Sequence, residues 1–211
     1  QVNFKIIVEI AENVVTAHSF PAQKQRPHYE VIARKYASIY GDELDGVIFL
    51  GTGNQPKAVV DSGLKLAHIA KLVRGERYRS ELLNTIMFGA YNKRIKDNRT
   101  ANDWLTKDTK IVDEYLSDPK CSYKFTANAY IGFLNVIKYD IDKKNIAKTP
   151  DKLPVLFASG LEDPVGDYGK GVKKAFKMYT KYVDNVELYL YEDDRHELHS
   201  ETDREDIFSD L

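Results

Sequence analysis

Two short runs limit most strongly what this chain can fold into: GVIFLGTG at 46–53 and LPVLFASG at 153–160. Each is apolar without alternation and bounded by glycine. A strand with one wet face alternates apolar and polar residues, whereas a strand covered on both faces does not. The two runs therefore predict central strands of a sheet with helices on both sides. FKIIVEIA at 4–11 and VELYLY at 186–191 read as further strands from their β-branched and aromatic content. HYEVIARKYASIY at 28–40 carries apolar residues at helical spacing, with Gly41 placed to end the helix. KGVKKAFKMYTKYV at 170–183 is amphipathic, and a terminal helix starts near Glu201. Strand, helix, strand, helix in this order implies right-handed crossovers and a parallel sheet, hence an α/β fold. The polar stretch ENVVTAHSFPAQKQRP at 12–27, with two prolines, reads as a loop.

From about 56 to 150 the pattern changes. AVVDSGLKLAHIAKLV, SELLNTIMFGAY and ANAYIGFLNVIKY all place apolar residues three and four apart, and no strand pattern interrupts them. A helical block inside an α/β chain reads as an inserted cap. The expected organisation is 1–55 as the N-terminal part of the core, 56–150 as the cap and 151–211 as the C-terminal part of the core.

Charge and cysteine narrow the function classes. Lys plus Arg total 31 and Asp plus Glu 32, so the net charge of -1 argues against a nucleic-acid partner. The single cysteine, Cys121, rules out an internal disulfide and a multi-thiolate zinc site. No apolar run has the length of a transmembrane helix, and the opening QVNFKIIVEIAENVV has no signal-peptide pattern, so a cytoplasmic location is expected.

The chemistry is expected where loops leave the carboxyl ends of parallel strands. LFASGLED puts Asp163 just past one strand, and YLYEDDRHE puts His196 just past the next. An Asp that binds one imidazole nitrogen fixes the tautomer and stabilises the imidazolium, leaving the other nitrogen to act as a general base. The competing reading is ordinary: loop aspartates brace turns and surface histidines are solvated.

The runs LPVLFASGLEDPVGDYGKGVKKAFKMY and VELYLYEDDRHELHSETDREDIF resemble the C-terminal half of bacterial α/β-hydrolases of the lysophospholipase and monoacylglycerol lipase type, the serine aminopeptidase-like group. LDGVIFLGTG, RYRSELLNTIMFGAYNK, NRTANDWLTKD and VDEYLSDPKCSYKFT resemble that family's post-nucleophile strand and cap. The resemblance covers about residues 34–211. It implies Asp163 as the triad acid, His196 as the triad base, lipid-like acyl esters as substrates, and no metal or organic cofactor.

The departure from the family lies upstream. The family carries G-x-S-x-G immediately before the helix that here reads ARKYASIYG, and this sequence contains no G-x-S-x-G. An ungapped count puts Pro27 at the serine position, and proline has no nucleophilic group. The family's His-Gly oxyanion loop is replaced by Glu12 and Asn13. Ser19 lacks flanking glycines, Cys121 reads as a packed apolar side chain, and Ser159 as a partner for local backbone. His196 and His199 lack the third strong ligand that a zinc site needs. The run Glu192–Asp194 reads as a solvated acidic loop.

The expected fold is thus an incomplete α/β-hydrolase sheet with a helical cap, its exposed edges open to self-association. Two readings stay open: a serine hydrolase whose elbow segment is missing from this sequence, and a non-catalytic remnant that binds a small apolar ligand under the cap.

Overall fold

A computed structural model describes residues 6–10, 13–16, 30–96, 98–121 and 123–211. Among the described residues the sheet has five strands in the order β2-β1-β3-β4-β5. They are β1 Ile6–Ile10, β2 Asn13–Thr16, β3 Gly46–Leu50, β4 Val155–Gly160 and β5 Val186–Tyr191. β1, β3, β4 and β5 run parallel, and β2 pairs antiparallel with β1. The two glycine-bounded runs are therefore adjacent central strands, with Phe49 opposite Phe157 in the register.

The helices are α1 Glu30–Tyr40, α2 Lys57–Arg74, α3 Glu81–Phe88, α4 Thr109–Ser117, α5 Ala127–Asp140, α6 Lys143–Ile146, α7 Lys170–Tyr179 and α8 Arg204–Asp210. One sheet face is covered by α1 and α7. Ala33 and Ala37 of α1 and Ala175 of α7 are buried against Phe49 and Phe157. Small side chains at these positions let the helices approach the strands closely. The rings of Phe49, Phe157 and Tyr179 contact one another at 5.1–5.8 Å, a spacing at which tilted aromatic pairs attract. On the other face Leu50 and Ala158 pack with Leu198 and with Ile207 of α8.

The described residues between β3 and β4 form helices and turns only. Local signals start these helices: Ser80, Asp108, Thr126 and Asp142 each accept a backbone N–H from the first turn of α3, α4, α5 and α6. Gly75, at φ 88°, ends α2. α5 packs on α1 as well as α2, and Ile146 joins the core cluster of Phe49 and Phe157. No helix among the described residues is long and apolar enough to cross a membrane.

Two sequence expectations need correction. The segment 12–27 contains strand β2, because Asn13–Thr16 can take up the free edge of β1 in a tight antiparallel pair, Ile10 against Asn13. Its Val-Val-Thr core is β-branched, and polar flanks hid it. Gly41 does follow the last residue of α1, but as the first residue of a short 3₁₀ turn. A Cβ there would lie 2.4 Å from the Pro150 ring, so close packing, not a left-handed cap, requires the glycine.

Candidate active site

Asp163 follows β4 and His196 follows β5, so neighbouring parallel strands deliver both residues to one end of the sheet. The His196 Nδ1 lies 3.2 Å from the Asp163 carboxylate. Asp163 is fully buried and His196 only 4% exposed. Asp163 is held from several sides. One carboxylate oxygen accepts the Val165 N–H at 2.8 Å, the other lies 3.5 Å from the Ser159 hydroxyl, and the Asp163 carbonyl accepts the Tyr168 N–H at 2.8 Å. The loop turns through left-handed Asp167, Tyr168 and Gly169 before α7 begins. Gly166 lets it pass close to Ser159 and the carboxylate, where a Cβ would sit 3.0 Å from the Ser159 oxygen.

His196 is fixed by a different set of contacts. Its ring lies 5.2 Å from the Trp104 ring. Gly51, at φ 66° past the end of β3, leaves room for it; a Cβ at Gly51 would meet Nδ1 at 2.9 Å. The loop bearing His196 is also laced to residues 103–107. Glu197 N–H donates to the Leu105 carbonyl at 2.8 Å, and the Arg195 guanidinium donates to the carbonyls of Asp103 and Thr106 at 2.7 and 3.0 Å. Glu201, fully buried, accepts from Arg195 N at 2.8 Å, Lys107 N at 3.0 Å and the Thr106 hydroxyl at 3.1 Å. Burial raises its pKa, and the backbone donors of Arg195 and Lys107 oppose that rise. Glu192 and Asp193 are exposed, as the sequence suggested, but Asp194 is buried and paired with Lys107. Burial pushes the Asp194 carboxyl up against the pull of Lys107.

Asp194, Glu201 and Asp203 come within metal-ligand reach of one another. Lys107 and the backbone donors already occupy the first two, and these contacts account for the cluster. His199 is half-buried beside His196, and desolvation, with the neighbouring imidazole, lowers its pKa to about 4. Cys121 is buried with Trp104, Leu105 and Tyr115. Ser159 also donates to the Gly160 carbonyl at 3.2 Å. Ser19, Pro27 and Glu12 lie outside the described residues.

Sequence reasoning missed Glu201 and Trp104 as supports of His196. Glu201 lies 94 and 95 residues from its partners at Lys107 and Thr106, a separation that no local pattern encodes.

Next to Trp104 and Val165 opens a mostly apolar cavity of about 620 Å³, walled by residues such as Val60, Met87, Leu134 and Ile137. Its size lies within the range of small-molecule sites.

A parallel sheet flanked by helices, with an Asp–His pair beyond the strand ends, defines an α/β-hydrolase. The chain belongs to the serine aminopeptidase S33 family of hydrolases, which matches residues 31–203. Among solved structures it is similar to a thermostable carboxyl esterase from Bacillus coagulans, at 26% identity and a TM-score of 0.77, over 86% of this chain and 59% of that one. It is similar to a lipase in an open form, at 28% identity and a TM-score of 0.75, over 86% and 60%. A soluble variant of the monoglyceride lipase of Saccharomyces cerevisiae shares the fold, at 21% identity and a TM-score of 0.61, over 86% and 59%. The chain thus spans about 60% of the length of these structures. Curated protein sequences give no significant match.

Proposed function

We propose that Asp163 and His196 are the acid and base of an esterase site for lipid-like acyl esters, and that the chain as it stands does not complete the ester-hydrolysis cycle. The observation that carries the first part is the buried 3.2 Å contact between carboxylate and imidazole. In a complete site, His196 takes the proton of a serine hydroxyl as its oxygen bonds to the acyl carbon. It then returns that proton to the departing alcohol, and water releases the acyl group in a second, mirrored step. Asp163 orients the imidazole and stabilises its charged form. Residues 56–150 serve as the cap over this end, with 1–55 and 151–211 as the two parts of the core, and the acyl chain takes the apolar cavity beside Trp104.

The second part rests on the absence of G-x-S-x-G from the sequence. The loss removes the nucleophile and also the oxyanion-hole N–H that normally follows it. An enzyme lacking one triad member can keep about 10³–10⁴-fold acceleration over water, and here less should remain. The expected result is equal, near-background hydrolysis of a short-chain aryl ester by the chain and by His196→Ala. A clear rate that disappears in His196→Ala, with a serine labelled by a fluorophosphonate, overturns the inactive reading and makes Ser19 the first residue to test.

A second reading, a non-catalytic protein that holds an apolar ligand, is favoured by one observation. The cavity is walled by Val60, Leu134 and Ile137 without involving the missing elbow. It predicts ligand binding without turnover.

A further inference from the structure

The cavity is not uniformly apolar. Asp140, the last residue of α5, lines it beside Arg34 of α1. Asp140 is 4% exposed, and both of its carboxyl oxygens are buried without a hydrogen-bond partner. The nearest cation does not supply one. The Arg34 guanidinium donates instead to the backbone carbonyls of Asp140, at 2.8 Å, and of Gly53, at 2.9 Å. A buried carboxyl without a partner destabilises a fold, and such groups are rare in native proteins. On the same stripe of α5, Phe133, Leu134, Ile137 and, just beyond, Ile141 give the cavity its apolar wall. Asp140 is the polar exception in that stripe.

We propose that Asp140, braced by Arg34, is a recognition point in the cavity for the hydroxyl group of an amphiphilic ligand whose chain lies along the apolar wall. This deepens the acyl-ligand reading above and rests on it. The ligand chemistry follows from the two side chains. Arg34 disfavours an ammonium group in the same corner, and the Asp140 carboxyl, when ionised, disfavours a carboxylate. An uncharged hydroxyl suits both, because it donates to an ionised carboxyl and both donates to and accepts from a protonated one. Burial pushes the Asp140 carboxyl up to about 8, against the opposing pull of Arg34 and Lys35, which brings both forms within reach near neutral pH.

The test compares 1-octanol with 1-chlorooctane, which has the same chain and almost no hydrogen-bonding capacity. Their affinities are measured by calorimetry on the full chain and on Asp140→Leu and Asp140→Asn. The expected result is that Asp140→Leu weakens octanol relative to chlorooctane about tenfold, the scale of a lost buried hydrogen bond. Asp140→Asn, which keeps a donor and an acceptor, should retain the preference. The ratio between ligands cancels their different transfer from water, so only the contact with residue 140 is read. Asp140→Leu should melt no lower than the parent, since it removes an orphaned polar group; should it not fold, a full loss of the preference against chlorooctane in Asp140→Ala gives the same reading. If both ligands bind but the ratio does not move in the substituted chains, the hydroxyl site is wrong and the cavity reading stands. If neither ligand binds the parent chain, the cavity reading fails and takes this inference with it.

Discussion

Asp163 and Asp140 are both buried, yet the protein surrounds them in opposite ways. Asp163 sits where two loops close over the ends of β4 and β5, and its carboxylate meets an imidazole, a backbone N–H and a hydroxyl. Asp140 sits at the wall between α1 and α5, and its carboxyl oxygens have no hydrogen-bond partner. Dense hydrogen bonding fixes a side chain in one pose, which suits a group that must hold another group in place. A missing partner leaves capacity for something that arrives from outside. The same residue type thus marks two different duties, and the donors around it tell them apart.

The contrast can be broken first on the tightly bonded side. Glu201→Ala removes a buried carboxylate that accepts from Lys107, Arg195 and Thr106. It should cost about 3–5 kcal/mol, since three buried donors lose their acceptor, read as a lower urea midpoint. The His196 ring resonances should shift with it. An unchanged midpoint would mean that the lacing between residues 103–107 and 194–201 does not hold the histidine. Next in size is Gly51→Ala. It forces an L residue to φ 66° and brings a Cβ to 2.9 Å from His196 Nδ1. The strain alone costs about 1–2 kcal/mol, and displacement of the ring should weaken its bond to Asp163, seen as loss of the downfield Nδ1 proton signal.

On the other side, Asp140 can be sharpened by pH. Its folded pKa of about 8 lies above the unfolded value near 3.8. The folded state therefore binds the extra proton between these values, and stability falls as pH rises through that window. Arg34 and Lys35 on α1 and Asp167 across the cavity are the charges that face it, and the two cations moderate the fall. Thermal melts from pH 5 to 8 should drop further for the parent than for Asp140→Asn, by on the order of 1–2 kcal/mol once the site relaxes. Identical curves would show that Asp140 has a partner after all. The smallest effect is expected at the exposed pair Lys152–Asp184. Lys152→Ala should leave the urea midpoint unchanged, and a clear drop would undo the distinction between buried and exposed pairs.

Much of this could be read before any coordinates. GVIFLGTG and LPVLFASG became β3 and β4 because strands covered on both faces need uninterrupted apolar residues. Asp163 and His196 stand out in the sequence because each lies a few residues beyond a strand and in a run that resembles the family, and the fold brings the two side chains together. β2 was missed because four residues between polar flanks carry too little periodicity, and its existence depends on the edge of β1. Asp194 was misread because the Lys107 that buries its charge lies 87 residues away. Nothing in the sequence singles out Asp140. It falls on the apolar stripe of α5, and a stripe does not say which face is walled in. Arg34 belongs to the same class: its partners are the carbonyls of residues 53 and 140, invisible without the fold.

The span between Lys107 and Glu201 also sets the order in which this protein can be made. Helices α2 to α5 leave the ribosome early and can form from local contacts. The Arg195 and Lys107 amides that hold the histidine loop need a carboxylate 94 residues downstream of the latter. Until residues 194–201 have emerged, residues 103–107 lack the partners they close against there, and Trp104 lacks the imidazole packed on it. Contacts of such long separation form late and slowly. During synthesis, then, the half-built chain exposes an apolar cleft before its polar lock exists, and it is at this stage that a chaperone would find most to hold.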